Sequence, residues 1–172
     1  MIWAEIKKAL NSTIGTTQFD PLDKKITQES YDTFYNLSKF ANILLGADDG
    51  KAEIIPYGVT EIEQAKYMDG SMEIVVIPST VKKIGTSAFN LCLRLKHVFI
   101  PNSVTVINSN AFANCTKLEN IFIPSSVENM GSGVFSTCPN LTDIYIGRNS
   151  SEALEGAPWG ASNATVHYMD EI

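Results

Sequence analysis

Residues 97–127 read HVFIPNSVTVINSNAFANCTKLENIFIPSSV, and the tetrad VFIP that begins at Val98 returns as IFIP at Ile121, a step of 23 along the chain. Sliding the chain against itself by that step extends the match in both directions: Ile77, Ile100, Ile123 and Ile146 align, then Pro78, Pro101 and Pro124, then Val81, Val104 and Val127, then Ile84, Ile107 and Met130. The register holds through Phe89, Phe112 and Phe135, through Cys92, Cys115 and Cys138, through Leu95, Leu118 and Leu141, and through Val98, Ile121 and Ile144. Slots that recur three or four times in step encode a solenoid, in which each turn stacks its inward side chains on the turn before. Upstream, the segment 54–78 repeats the pattern once more: Ile55, Pro56, Val59, Ile62 and Tyr67 precede Ile77, Pro78, Val81, Ile84 and Phe89 by a step of 22. That first turn is the same unit shortened by one position near Met68-Asp69-Gly70-Ser71, as a terminal repeat is expected to be.

Each unit has two sides. In LKHVFIP the apolar residues Leu95, Val98 and Ile100 end in period-two spacing, the mark of a strand with one buried face, and Pro101 then stops the ladder. VTVI from Val104 predicts a second short extended piece, and NSNAFANC predicts one helical or 3₁₀ turn with Phe112 pointing inward. The pattern Leu-x-x-Ile-x-Ile-Pro-x-x-Val-x-x-Ile-x-x-x-x-Phe-x-x-Cys, seen from Leu95 and again from Leu118, resembles the BspA-like (Treponema pallidum type) bacterial leucine-rich repeat. The resemblance implies an α/β fold: a right-handed leucine-rich-repeat solenoid of about four turns, each one period of 22 or 23 long, with a parallel sheet on its concave face. It also implies a non-enzymatic, surface-exposed adhesion or recognition module.

The chain divides on this basis into an N-terminal helical segment (1–50), the solenoid (51–147) and a C-terminal cap (148–172). IWAEIKKAL predicts a short amphipathic helix with Ile2, Ile6, Ala9 and Leu10 on one face, and Pro21 breaks it. A longer helix is predicted from Thr27 to Leu45: Tyr31, Phe34, Leu37, Ala41, Leu44 and Leu45 fall on one side, with Asp32, Asn36 and Lys39 on the other. Gly46 ends it. This stripe either caps the open end of the solenoid or meets copies of itself in a homo-oligomer. Beyond the last strand, Trp159, Val166 and Tyr168 can close the other end, and ATVHY alternates like an edge strand. The flanks EIKKALNSTIGTTQFDPLDKKI and GAPWGASNATVHY resemble those of leucine-rich-repeat proteins in tail modules of phages and prophages of gut Firmicutes. That resemblance implies display on a virion tail; the alternative location is extracellular, at a cell surface.

A net charge of -6 argues against a nucleic-acid partner held through its phosphates. The N-terminal stretch MIWAEIKKAL carries Glu5, Lys7 and Lys8 and lacks the unbroken apolar run of a secretory signal or membrane span, so no membrane insertion is expected. Stacked turns bring Cys92, Cys115 and Cys138 near one another, but an odd count without a CxxC pair or a histidine at ligand spacing fits small apolar inward residues better than a disulfide or a metal site. No cofactor is expected. His97 and His167 stand beside no nucleophile motif, Asp48-Asp49 and Asp170-Glu171 fit solvated loop charge, and GADDGK lacks the spacing of a phosphate loop, so no catalytic constellation is present.

Outward strand slots are free of the core's packing demands and carry the functional expectation. One column reads Val76, Phe99, Phe122 and Tyr145; beside it run Ile74, His97, Asn120 and Asp143, then Glu73, Lys96, Glu119 and Thr142. The predicted binding residues on the concave face are Phe99, Phe122 and Tyr145 with His97, Asn120 and Asp143, for a bacterial surface glycan or protein. Two other outcomes stay open. The aromatics can stack only on each other, or the N-terminal segment can cover them.

Overall fold

A computed structural model describes residues 52–56 and 58–168 of the 172-residue chain. The predicted N-terminal helices and both acidic pairs lie outside the described residues. Ten strands follow one another: β1 (Ala52–Ile54), β2 (Glu61–Ile62), β3 (Ile74–Val76), β4 (Lys83–Ile84), β5 (His97–Phe99), β6 (Val106–Ile107), β7 (Asn120–Ile123), β8 (Asn129–Met130), β9 (Asp143–Ile146) and β10 (Thr165–Tyr168). All pairings are parallel. The longer strands form two three-stranded sheets, β1-β3-β5 and β7-β9-β10, with β5 beside β7; the two-residue strands form a second wall, β2-β4-β6-β8.

Ladder register reproduces the sequence period. Ile74 pairs with His97 and Asn120 with Asp143, steps of 23, while Ala52–Ile74 and Asp143–Thr165 are steps of 22. In turns two to four the strand ends at a proline whose carbonyl accepts a turn hydrogen bond from the valine three positions on: Val81 N to Pro78 O at 3.0 Å, and Val104 N to Pro101 O and Val127 N to Pro124 O at 3.1 Å. A hydroxyl then ties each turn to the one before. Thr80 Oγ1 donates to Val59 O (2.7 Å), Ser103 Oγ to Val81 O (2.6 Å) and Ser126 Oγ to Val104 O (2.7 Å). At the next carbonyl, Val127 O, Arg148 Nη2 takes over as donor.

The third side is built differently from its prediction as a helical turn. Asn110, Phe112 and Asn114 donate their backbone N–H groups to Ser132, Val134 and Ser136 of the following turn, and Ser87, Phe89 and Leu91 do the same to Ser109, Ala111 and Ala113. Two residues per unit hold positive φ in step, Ala65, Ser87, Asn110 and Gly133 in one slot and Asp69, Leu91, Asn114 and Thr137 in the other. Left-handed residues at that spacing turn the chain and prevent helix propagation. Among the described residues there is no α-helix, only a 3₁₀ turn at Ser150–Glu152, so the α/β assignment is corrected to a parallel β-solenoid.

The expected four turns become about five. The fifth runs from β9 to β10 with its identities replaced: Gly147 stands where other turns carry proline, Ala161 at the cysteine slot, and the 3₁₀ turn where a short strand would be. The step of 23 puts Pro158 in the aromatic slot, and the buried Trp159 follows it, its carbonyl accepting the Phe135 N–H at 3.0 Å. The packing carries on although the letters change.

Inside, Tyr67, Phe89, Phe112 and Phe135 form one stack with ring centroids 5.3, 5.2 and 6.1 Å apart. The three phenylalanines are fully buried, worth roughly 1.5–3 kcal/mol each in transfer alone. Cys92, Cys115 and Cys138 are free and buried, and each thiol donates to a carbonyl of the preceding turn: Tyr67 O at 3.2 Å, Phe89 O at 3.3 Å and Phe112 O at 3.2 Å. A small, weakly polar side chain fits this slot because it fills space and satisfies a buried acceptor at once.

Candidate functional site

Alternation along the longer strands sends Val75, Val98, Ile121 and Ile144 into the core and their neighbours to the outer face. Register then builds two outer columns. Val76 pairs with Phe99, and Phe122, Tyr145 and His167 stand side by side on β7, β9 and β10; next to them run Ile74 and His97, then Asn120, Asp143 and Thr165. Five of the six residues singled out from sequence, His97, Asn120, Phe122, Asp143 and Tyr145, are half-buried on this face. Phe99 differs: it is buried, with Ile74 and Val76 beside it, so the row of aromatics is open only from Phe122 onward.

His167 is the member that the sequence left in the C-terminal cap, outside the predicted binding columns. The step of 22 from Tyr145, the same step that links the first two turns, was the signal that aligns it with the column. Its ring stacks on Tyr145 with centroids 4.8 Å apart and planes at 18°, and Nε2 lies 2.7 Å from Asp143 Oδ1. Thr142 Oγ1 donates to the other oxygen of the same carboxylate at 2.7 Å. These two bonds, that of Thr142 first, hold the Asp143 carboxyl below its ordinary range, and burial pushes the Tyr145 phenol up. On β5, burial foremost and then the Lys96 charge lower the His97 pKa, which keeps that imidazole neutral.

Phe122 leans toward the end of β9, where a Cβ on Gly147 would come within 3.0 Å of its ring tip. Glycine at the slot that other turns give to proline therefore makes room for the ring. Arg148 follows, its guanidinium donating to the carbonyls of Ser125, Val127 and Glu152, which fixes the edge of the patch to the fourth turn.

Chemically the patch offers ring surface from Phe122, the edges of the stacked Tyr145 and His167, an amide at Asn120 and an ordered carboxylate at Asp143. This set supports contact and hydrogen bonding. The Thr142 hydroxyl is directed at Asp143 and not at the imidazole, so it is not a nucleophile activated by His167. Among the described residues no group of three or more His, Cys, Asp or Glu side chains is placed to hold a metal ion.

The chain matches the model of the BspA type leucine rich repeat region over residues 51–160, in six copies. Comparison with curated proteins gives no match. Among solved structures it is similar to the Treponema pallidum leucine rich repeat protein (26% identity, TM-score 0.55, 70% of this chain and 53% of that one). It is also similar to a leucine rich cell surface protein of Faecalibacterium prausnitzii (25% identity, TM-score 0.59, 69% of this chain and 32% of that one). The pneumococcal vaccine antigen PcpA shares the fold at 24% identity and TM-score 0.58, over 69% of this chain and 30% of that one. The chain thus spans about half the length of the first of these and about a third or less of the other two. With its period, its register and a family model that spans residues 51–160 in agreement, the chain belongs to the BspA-type leucine-rich-repeat family.

Proposed function

We propose that this protein is a non-catalytic recognition module that binds a bacterial surface glycan or protein through the outer face of its longer strands, at Phe122, Tyr145 and His167 with Asn120 and Asp143. The observation that carries this is the split between the two faces: the inward slots are consumed by packing, while aromatic and polar groups stay half-open on turns four and five. Similarity to a cell surface protein of Faecalibacterium prausnitzii supports the setting. The resemblance of the flanks extends the proposal to display on a virion tail. Because Tyr145 and His167 spend ring faces on each other, the partner meets their edges together with Phe122, and the amide and carboxylate set its orientation.

The test is binding of fluorescently labelled protein to a panel of gut bacterial cells and to a glycan array, with Phe122→Ala/Tyr145→Ala as the variant. A loss of at least tenfold with unchanged circular dichroism supports the assignment; equal binding overturns it. A second reading is a scaffolding protein whose strand face is buried in an assembly, the half-open Phe122 and Tyr145 being the surface that neighbouring copies would cover. It predicts an oligomer by light scattering and no cell binding.

A further inference from the structure

Around most of the solenoid, polar side chains are spent on the fold. Asn114 donates to the Asn90 side chain at 2.9 Å, Asn140 to Thr116 O at 2.6 Å and Asn163 to Pro139 O at 3.4 Å. Arg94 and Lys96 share the Glu73 carboxylate, and the Arg148 guanidinium is taken up by backbone carbonyls. Around Phe122 the pattern reverses. Among the described residues no group bonds the Asn120 amide, the Tyr145 hydroxyl or Nδ1 of His167, and none of these atoms is sealed from solvent. Phe122 stacks on no described ring, whereas Tyr145 and His167 stack on each other.

The unspent groups are neutral and are held in place. Asp143 receives His167 Nε2 on one oxygen and Thr142 Oγ1 on the other, both at 2.7 Å. An ionised carboxylate only accepts, so Nε2 carries the proton and, in the neutral ring, Nδ1 is left as an acceptor. The nearby cations Lys96 and Arg148 are already engaged, and Glu119, next to Asn120, puts an exposed carboxylate at the rim. An anionic ligand thus meets repulsion and no free cation. An extended peptide would need an open strand edge, but β9 is paired on both sides. A neutral sugar meets each demand: an apolar C–H face for the Phe122 ring, and hydroxyls that both donate and accept for the polar groups. A ligand without hydroxyls would leave those groups unpaired on contact, which is how such a site rejects it. Phe122 and His167 stand two strand spacings apart, ~10 Å, a span that calls for more than one sugar ring.

We infer that the patch takes a neutral oligosaccharide, with one ring packed on Phe122, hydroxyls bonded to Asn120 and the Tyr145 phenol, and a further hydroxyl donating to Nδ1 of His167. His167 is then the residue that selects a donor at its place in the ligand. The inference rests on the proposed binding at this patch and names its ligand class.

The experiment clusters the biotinylated full chain on labelled streptavidin, so that weak contacts read as avidity. The probes are arrays of neutral oligosaccharides and of sialylated, sulfated and phosphorylated ones. Binding to neutral members is expected, with a loss of at least tenfold in His167→Phe, which keeps a ring to stack on Tyr145 but has no Nδ1. No binding on the array, binding confined to acidic glycans, or a His167→Phe variant that binds as the parent does overturns the inference. Should that variant fail to fold, Asn120→Ala takes its place, since the Asn120 amide bonds to no described group; unchanged binding then overturns it. On bacterial cells that bind the protein, periodate oxidation of surface sugars is expected to cut binding at least tenfold and proteinase K to leave it. The reverse result overturns the ligand class, while a loss in Phe122→Ala/Tyr145→Ala on the same cells would keep the patch as the site.

Discussion

His167 Nε2 lies 2.7 Å from Asp143 Oδ1, a diagonal bond from β10 to β9 across a ladder in which His167 is paired with Tyr145 and Thr165 with Asp143. It ties the last strand to the proposed binding patch and orders the carboxylate there. Both partners are partly exposed, at 27% and 36%, so the bond is worth at most about 1 kcal/mol.

Acid should weaken that tie in a defined direction. The Asp143 carboxyl has its folded-state pKa below the ordinary 3.8, so as pH falls the unfolded chain takes up the proton first. Its contribution is present above the ordinary value and is lost as pH falls through the lowered one. Asp143→Asn is expected to cost under about 1 kcal/mol at pH 7 and to flatten this part of the acid limb in urea denaturation followed from pH 7 to pH 2.

His97 acts in another window. Burial lowers its folded-state pKa below 6.5, with Lys96 adding to the effect while Glu119 and Glu73 oppose it. The unfolded chain therefore binds the proton first as pH drops below 6.5, and stability falls with it until the lowered value is passed. Thermal melts should show wild type losing stability across this window and His97→Gln losing less.

The aromatic stack should dominate the core. Phe112 contacts Phe89 on one side and Phe135 on the other, so Phe112→Ala removes two ring contacts and opens a cavity at the centre of the solenoid. A loss of about 3–5 kcal/mol is expected from urea midpoints. Tyr67→Ala, at the half-buried end of the stack, should cost less.

Thiol chemistry reports on the same core. Burial pushes the Cys138 thiol up to about 11 and raises Cys92 and Cys115 as well, so all three stay protonated and shielded at pH 8. Ellman's reagent is expected to find no thiol in the native protein and three in denaturant. Cys115→Ala, which deletes the bond to Phe89 O, should lower stability by about 1 kcal/mol.

Much of the solenoid is legible in the letters. Ile77, Ile100, Ile123 and Ile146 fall in step because every turn presents the same inward slot to its neighbour, and packing restricts that slot to a few residue types. The prolines, the phenylalanine stack and the inward cysteines follow from the same constraint. The turn side is less legible: NSNAF carries a local helical pattern, yet its backbone groups bond to the next turn instead of to themselves. Residues such as Asn110 and Asn114 tolerate the left-handed conformation that this requires, a preference that recurs at these slots only loosely. At the site, the columns are readable once the period is known, whereas His167 is hidden because the step to β10 is one position shorter.

The sequence by itself determined the period, the parallel stacking and the identity of the core, since these repeat and each repeat constrains the next. Only the tertiary structure decided that a fifth turn exists behind Trp159 and Ala161, that His167 joins Tyr145 and Asp143, and that Phe99 is covered while Phe122 is not. Inward slots face a copy of themselves at fixed spacing, so their chemistry is written into the repeat. The outer face meets whatever lies across it, and no local pattern specifies which part of that face stays open to solvent.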